Sequence, residues 1–272
     1  MFLAGAVYGD VLGSYYEWNN IRKVVKVQKM MDKNCRFTDD TVMTCAVARG
    51  IKEALAEVPE NWLGDAEAES KIREKITEKM VEYGKRYPRA GYGSSFRNWI
   101  HDDNRQPYNS WGNGSAMRVS YAGHAAKTLE EALALAKLSA EVTHNHPEGI
   151  KGAQVVAGAI FLLKTGSSKD EIREFVKQYY DMDFTLNEVR GWYYFDVSCQ
   201  GSVPQAVEAF LEGESFEEVI SLAISIGGDS DTIAAIAASM AEMIYPIPEF
   251  LTEYVWDRLT DELRDTLAFL KE

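Results

Sequence analysis

Residues 147–163 read Pro-Glu-Gly-Ile-Lys-Gly-Ala-Gln-Val-Val-Ala-Gly-Ala-Ile-Phe-Leu-Leu. Pro147 suits the first turn of a helix, where its missing N–H is not needed. Beyond it the stretch is apolar nearly all round, through Gly152, Ala153, Val155, Val156, Ala157, Gly158, Ala159 and Ile160. A helix with no polar face is expected at the centre of the molecule, tightly packed. Thr232 to Ile244, rich in Ala and Ile, is a second such segment. Around them stand ordinary helical patterns. Thr41 to Leu55 has helical spacing after an acidic start. Glu67 to Tyr83 places Ile72, Ile76, Met80 and Tyr83 on one stripe, with charges elsewhere. Thr128 to Ala140 opens on a Thr with Glu131 three residues on, a capping-box arrangement. Alternating strand patterns are nearly absent, and the best one, Trp192 to Val197, reads equally well as an aromatic loop. No linker, fixed-period repeat or composition break interrupts the chain. The expectation is an all-α fold, one compact multi-helix bundle spanning residues 1–272.

With 46% hydrophobic residues the chain can bury a sizeable core, and 26% charged residues is ordinary for a soluble protein. A net charge of −13 argues against broad contact with a nucleic-acid backbone. It leaves room for a small anion held by metal ions and backbone N–H groups. The three cysteines, Cys35, Cys45 and Cys199, form no C-x-x-C pair, which fits a reducing cytosol and provides neither a disulfide framework nor a zinc site. The apolar start, Met1 to Val7, lacks a basic segment and is interrupted by Asp10. No apolar run approaches transmembrane length. A soluble cytoplasmic protein is expected, with no membrane partner and an undetermined oligomeric state.

Two acidic clusters carry the chemistry. Thr38-Asp39-Asp40-Thr41 and Gly227-Gly228-Asp229-Ser230-Asp231-Thr232 each lead into an apolar helical run. A single Asp or Thr before a helix is most often a plain cap. Adjacent aspartates, duplicated in two places, exceed what capping needs, and clustered carboxylates repel unless a cation or proton neutralises them. Carboxylate and hydroxyl oxygens suit Mg²⁺ or Mn²⁺, and Gly227-Gly228 lets backbone approach a ligand closely. Ser110 to Arg118 (SWGNGSAMR) is a Gly-rich loop leading into a helical segment, able to offer N–H groups to a phosphate. Alone that signal is weak, since Asn-Gly is also the commonest turn. Thr143-His144-Asn145-His146-Pro147 offers His144 for ligand contact or for plain packing, and His146 as a cap. Gly9-Asp10-x-x-Gly13 precedes Glu17, and on one helix Asp10, Ser14 and Glu17 would share a face. P-loop, Rossmann and nucleophile-elbow patterns are all missing.

Taken together, GAVYGDVLGSYYEW, FTDDTVM, SWGNGSAMR, THNHPEGIKGA and SIGGDSDTIAAIA resemble, in order and nearly end to end, the ADP-ribosylglycohydrolase family, of which dinitrogenase reductase-activating glycohydrolase is the type member. The resemblance implies an all-α fold around two Mg²⁺ or Mn²⁺ ions and hydrolysis of the N- or O-glycosidic bond at C1″ of an ADP-ribosyl group. It implies Thr38, Asp39, Asp40, Asp229, Asp231 and Thr232 as metal ligands, and Asp39, Asp40 and Glu17 as the groups that move protons. Gly112, Asn113, Gly114, Ser115, Ala116 and Met117 would line the diphosphate and ribose, and His144 would touch the substrate. The stretch Cys199-Gln200-Gly201-Ser202 would face the adenosine end. The substrate would be an ADP-ribosylated protein or a small ADP-ribose conjugate, with arginine the first acceptor to test. Some members carry a catalytic carboxylate shortly before the Gly-rich loop. Here Tyr108, Asn109 and Ser110 stand there, with Asp102 and Asp103 further away. A catalytically silent binding relative and a two-metal phosphoester hydrolase are the competing readings.

Overall fold

A computed structural model of the chain describes residues 4–271. The first residues of the apolar N-terminal stretch, Met1 to Leu3, lie outside the described residues, as does Glu272. The chain is 63% helical, and no strand occurs among the described residues. The N-terminal half runs α1 (Ala4–Gly13), a 3-10 turn at Val27–Lys29, α2 (Asp39–Leu55), α3 (Ala66–Arg86), α4 (Ser94–His101), α5 (Gly114–Met117), α6 (Ser120–Ala125) and α7 (Leu129–Glu141). The C-terminal half runs α8 (Pro147–Lys164), α9 (Lys169–Lys177), α10 (Leu186–Val189), α11 (Cys199–Glu212), α12 (Phe216–Ser225), α13 (Ser230–Ala241), α14 (Glu249–Trp256) and α15 (Asp261–Lys271). The segment 192–197 is a loop. Just after it, Ser198 forms an isolated antiparallel bridge with Gly112.

The helix starts follow local chemistry. His146 caps α8 by accepting the Glu148 N–H on Nδ1 (3.1 Å), with Pro147 in the first turn. Thr128 caps α7 by accepting the Glu131 N–H (3.1 Å), but the Glu131 carboxylate reaches past it to the Lys127 N–H (2.7 Å). The expected capping box is therefore displaced by one residue. Helix α13 starts and ends slightly earlier than its apolar pattern predicts, so that Asp231 and Thr232 lie inside its first turn.

Helix α13 is the axis of the molecule: every residue from Ser230 to Ala241 is buried. Helix α1, also buried throughout, lies along it. Gly5, Gly9 and Gly13 line the contact face. A Cβ on each would come within 2.2, 2.1 and 2.5 Å of the α13 backbone at Ala238, Ala234 and Asp231. No side chain fits there, so the two backbones pack directly. Helices α11 and α12 cover other sides of α13, α2 packs on α3, and α7 on α8. Most buried apolar side chains belong to one continuous cluster drawn from the whole chain.

Candidate active site

Helices α2 and α13 bring their N-termini to one spot. Thr38 caps α2, accepting the Asp40 N–H (3.3 Å), so Asp39 and Asp40 sit in the first turn. At the other end, Gly227 and Gly228 both take the left-handed conformation (φ 70° and 75°) that turns the chain into α13. The Thr232 hydroxyl donates to Asp40 Oδ2 (3.2 Å), tying together residues 192 positions apart. The positive ends of both helix dipoles face this cluster of carboxylates.

The third member of the cluster is Asp10. It accepts the Thr38 N–H (2.8 Å), the Thr38 hydroxyl (2.7 Å) and the Thr41 N–H (3.0 Å), and also the Thr41 hydroxyl. A fully buried carboxylate on an apolar helix thus fixes the shape of the Thr38–Thr41 turn. Carboxylate oxygens of Asp10, Asp40 and Asp231 lie within 4.8 Å of one another, and so do those of Glu17, Asp229 and Asp231. Asp231 belongs to both groups.

Such crowding has an electrostatic consequence. Burial pushes every one of these carboxyls above its ordinary range, and repulsion from neighbouring carboxylates of the cluster adds to it at Asp40 and Asp231. Asp39 rises to about 7 through burial and then the nearby Asp10. Glu17 rises to about 7 through burial and then Asp229. Asp40 Oδ1 is buried without any hydrogen-bond partner. An all-oxygen donor set with an orphaned buried carboxylate oxygen is what a hard divalent cation would satisfy.

The cluster forms the floor of a cavity of about 750 Å³, within the usual size of a small-molecule site. One wall is the loop from Tyr108 to Gly114, with Met117, Arg118 and His144 behind it. The mouth is aromatic. Trp18, 76% exposed, stacks on Phe195 (centroids 5.7 Å apart), and the half-exposed Trp111 meets His146 edge-on (5.5 Å). Trp18, Phe195 and Trp111 serve no core, since each projects from a loop into water.

The Gly-rich loop is tied down more than its sequence suggests. The Gly112 and Asn113 N–H groups are occupied by Ser110 Oγ (3.1 Å) and the Val197 carbonyl (2.7 Å). The Asn113 side-chain amide donates to Asp229 Oδ2 (2.6 Å) and Ser202 Oγ (2.9 Å), linking loop and acidic floor. A Cβ on Gly114 would lie 3.1 Å from His144 Nε2, tighter than an ordinary contact, whereas one on Gly112 would meet Ser110 Oγ first, at 3.2 Å.

Of the residues expected from the sequence, Glu17, Thr38, Asp39, Asp40, Gly112, Asn113, Gly114, Met117, His144, Asp229, Asp231 and Thr232 all surround the cavity. Ser115 and Ala116 do not. Both are buried behind the loop, and the Ser115 hydroxyl donates to the Gly149 carbonyl (2.7 Å). Cys199 and Ser202 likewise back the loop, with Cys199 Sγ 3.1 Å from the Gly112 carbonyl, and do not line the cavity. Helix α1 ends at Gly13, and Ser14 Oγ turns back to the Val11 carbonyl (2.9 Å). Glu17 thus reaches the site from a turn, without sharing a helical face with Ser14.

Asp10 stands out in the sequence beside Glu17, but its role in shaping the Thr38–Thr41 turn does not, and other contributors escape sequence reasoning altogether. Asn20 accepts the Gly228 N–H on Oδ1 (2.6 Å), and Arg22 donates to the Ile226 and Arg190 carbonyls (2.7 and 3.1 Å), together holding the Gly-Gly turn. These pairings are distant in sequence and leave no local pattern.

Known proteins bear on this arrangement. The sequence profile of the ADP-ribosylglycohydrolase family matches residues 1–270. ADP-ribosylhydrolase ARH3 of Homo sapiens is 24% identical, the match covering 89% of this chain and 84% of that protein. An uncharacterised protein of Archaeoglobus fulgidus is 28% identical, covering 94% of this chain and 90% of its own length. ADP-ribosylarginine hydrolase Tri1 of Pseudomonas putida is 25% identical over a shorter match, 57% of this chain and 45% of that one. A solved structure described as an ADP-ribosylglycohydrolase-related protein complex superposes with a TM-score of 0.65 over 98% of this chain and 93% of its own, at 21% identity, and shares the fold. No helix among the described residues is long and apolar enough to cross a membrane. With the fold, the ordered motifs and the match across nearly the whole sequence in agreement, the chain is an enzyme of the ADP-ribosylglycohydrolase family.

Proposed function

We propose that the chain, working as one domain over residues 1–272, hydrolyses the glycosidic bond between ADP-ribose and a modified acceptor with the help of two divalent cations, Mg²⁺ or Mn²⁺. The observation that carries this reading is the convergence of two acidic turns, with Asp231 shared between two carboxylate groups, at the floor of a cavity walled by a Gly-rich loop. Thr38, Asp39, Asp40, Asp229, Asp231 and Thr232 are the residues that would hold the cations, with Asp10 fixing the turn that carries three of them. When bound, the cations supply Lewis-acid polarisation of ribose oxygens and acidify a nearby water.

The chain's own groups account for the remaining chemistry. Water adds to C1″ while the bond from C1″ to the acceptor nitrogen or oxygen breaks. Asp39 or Asp40 takes the proton that the water loses, and Glu17 gives one to the leaving acceptor. Burial beside Asp229, which raises Glu17 to about 7, gives it a protonated fraction at neutral pH. The loop at Gly112–Gly114, Met117 and His144 hold the diphosphate side, and the buried Arg118 adds positive charge to that wall. The Trp18–Phe195 stack beside Glu17 offers a planar cation an aromatic face, which supports arginine as the first acceptor to test.

The deciding experiment is a hydrolysis panel of arginine-, serine- and base-linked ADP-ribose conjugates, each with Mg²⁺, Mn²⁺ or chelator. Release of intact ADP-ribose that stops with chelator is expected. Turnover of no conjugate with either metal, or phosphate release from generic phosphoesters instead, would overturn the reading.

A further inference from the structure

Behind the diphosphate wall, Arg118 and His144 are joined through a residue that the chemistry above does not use, Thr143. Arg118 is 1% exposed, and no acidic side chain pairs with it among the described residues. Its Nη2 donates to the Ser139 carbonyl (3.0 Å) and to the Thr143 hydroxyl (2.8 Å), and its Nε is buried without a hydrogen-bond partner. Burial lowers the Arg118 pKa to about 10, which still leaves the guanidinium charged at neutral pH. The Thr143 hydroxyl in turn lies 2.7 Å from His144 Nδ1, and the Tyr108 ring closes on His144 at 5.8 Å.

The direction of these bonds follows from what each group can do. A guanidinium only donates, so the Thr143 oxygen accepts from Arg118. Thr143 is fully buried, so its own hydroxyl proton needs an acceptor; His144 Nδ1 is the short contact at 2.7 Å, and the Tyr108 hydroxyl is a second side-chain partner of Thr143. An Nδ1 that accepts carries no proton, and a neutral imidazole then has its proton on Nε2. That nitrogen sits against Gly112 and Gly114 at the cavity wall. Burial and the adjacent Arg118 charge both oppose protonation of the ring, holding its pKa well below the usual histidine range.

We propose that Arg118 and Thr143 are positioning residues that lock His144 as a neutral imidazole with its proton on Nε2, a fixed hydrogen-bond donor to the substrate's diphosphate. The part concerning the diphosphate rests on the function proposed above. The tautomer does not. A locked donor cannot also serve as the general acid, since it has no second proton to give at neutral pH, and the acid role stays with Glu17. Arg118 would act twice, through Thr143 on the tautomer and through space on the anion.

The test uses long-range proton–nitrogen NMR of the free full-length protein. The chain has four histidines, and His144→Gln identifies the signals of interest. The wild type is expected to show His144 neutral with Nε2 protonated at pH 7, and Thr143→Ser to preserve that form. Thr143→Val, which keeps the shape and removes the hydroxyl, is expected to give a mixed or Nδ1-protonated ring. It should weaken ADP-ribose binding by about tenfold, the scale of one lost hydrogen bond, with KM rising more than kcat falls. A wild-type ring that is charged or protonated on Nδ1 overturns the proposal. So does Thr143→Val with an unchanged tautomer. Should Thr143→Val fail to fold, the wild-type and Thr143→Ser spectra still decide. Absence of ADP-ribose binding by the wild type would defeat the functional reading, while the spectra of the free protein would still judge the relay.

Discussion

Asp231 and Glu17 stand close together yet should fail differently when changed. Asp231 contributes to both carboxylate groups, so Asp231→Ala removes donor oxygens that either cation would use. The helical fold should persist: the Thr232 N–H loses its bond to Asp231 Oδ1 (3.0 Å), but removing one of several repelling carboxylates relieves strain in the metal-free protein. Metal-dependent turnover should fall below detection. Glu17 reaches the site from a partly exposed turn, so Glu17→Gln should leave cation affinity within a few-fold of normal and lower kcat by about a hundredfold or more, the usual contribution of a positioned acid. Calorimetric cation titration and steady-state kinetics separate the two. Undiminished ADP-ribose release by Asp231→Ala would sink the shared-ligand reading, and an unchanged kcat in Glu17→Gln would remove that residue from the mechanism. Residues of this kind were legible in the sequence, because carboxylates doubled beside helix starts exceed what capping requires. The role of Asp10 was not, although the residue itself stood out, since its purpose is visible only when Thr38 and Thr41 close around it.

At the scale of elements, the geometry of the floor is set by the contact between α1 and α13. Gly5, Gly9 and Gly13 recur every four residues, one face of a helix, and α13 answers with its bare backbone at Ala238, Ala234 and Asp231. This places Asp10 beside Asp231 and lets the Ser230 hydroxyl donate to the Gly13 carbonyl (3.0 Å). A methyl group at Gly13 would meet the Asp231 Cα at 2.5 Å, closer than any relaxed contact, and the obstacle is backbone that cannot rotate away. Gly13→Ala should therefore cost about 1–3 kcal/mol and lower Tm by several degrees. Its effect on kcat should be larger than this loss implies, because the displacement falls at the carboxylate that both groups share. Thermal melts and kinetics on the same preparation check this, and a variant destabilised but fully active would show that the α1–α13 spacing does not set the chemistry. The helices themselves follow from periodicity and caps, and the positions of α2, α3, α7, α8 and α13 could be read to within a few residues. The direct backbone contact could not, since glycine in a helix signals close approach without naming the partner.

For the molecule as a whole, the order of motifs along the chain fixed the family and with it the fold, while the aromatic mouth, the Asn20 and Arg22 supports and the Arg118–Thr143 contact arise only from three-dimensional closure. The same closure loads the interior with carboxylates, which makes stability depend on pH and on cations together. Asp10, Asp40, Asp229 and Asp231 are raised by burial, and Asp39 and Glu17 rise to about 7. A carboxyl with a raised folded-state pKa binds its proton more tightly in the folded chain than in the unfolded one. Its contribution is fully present below the unfolded pKa, near 4, and is lost as pH rises through the folded value. With chelator present, Tm should therefore decline between about pH 5 and pH 8, opposite to the trend for carboxylates paired with cationic side chains. Divalent cations binding only the folded state should reverse that decline, adding about 2.7 kcal/mol at a hundredfold excess over Kd and roughly 5–10 °C in Tm for a chain of this size. The gap between the metal-loaded and chelated melting curves should widen with pH, because cations displace protons from the same oxygens. Differential scanning calorimetry at stepped pH, with Mg²⁺, Mn²⁺ or EDTA, measures that gap directly. Curves that coincide at pH 8 would mean that the acidic floor holds no cation and that its carboxylates are neutralised by protons alone.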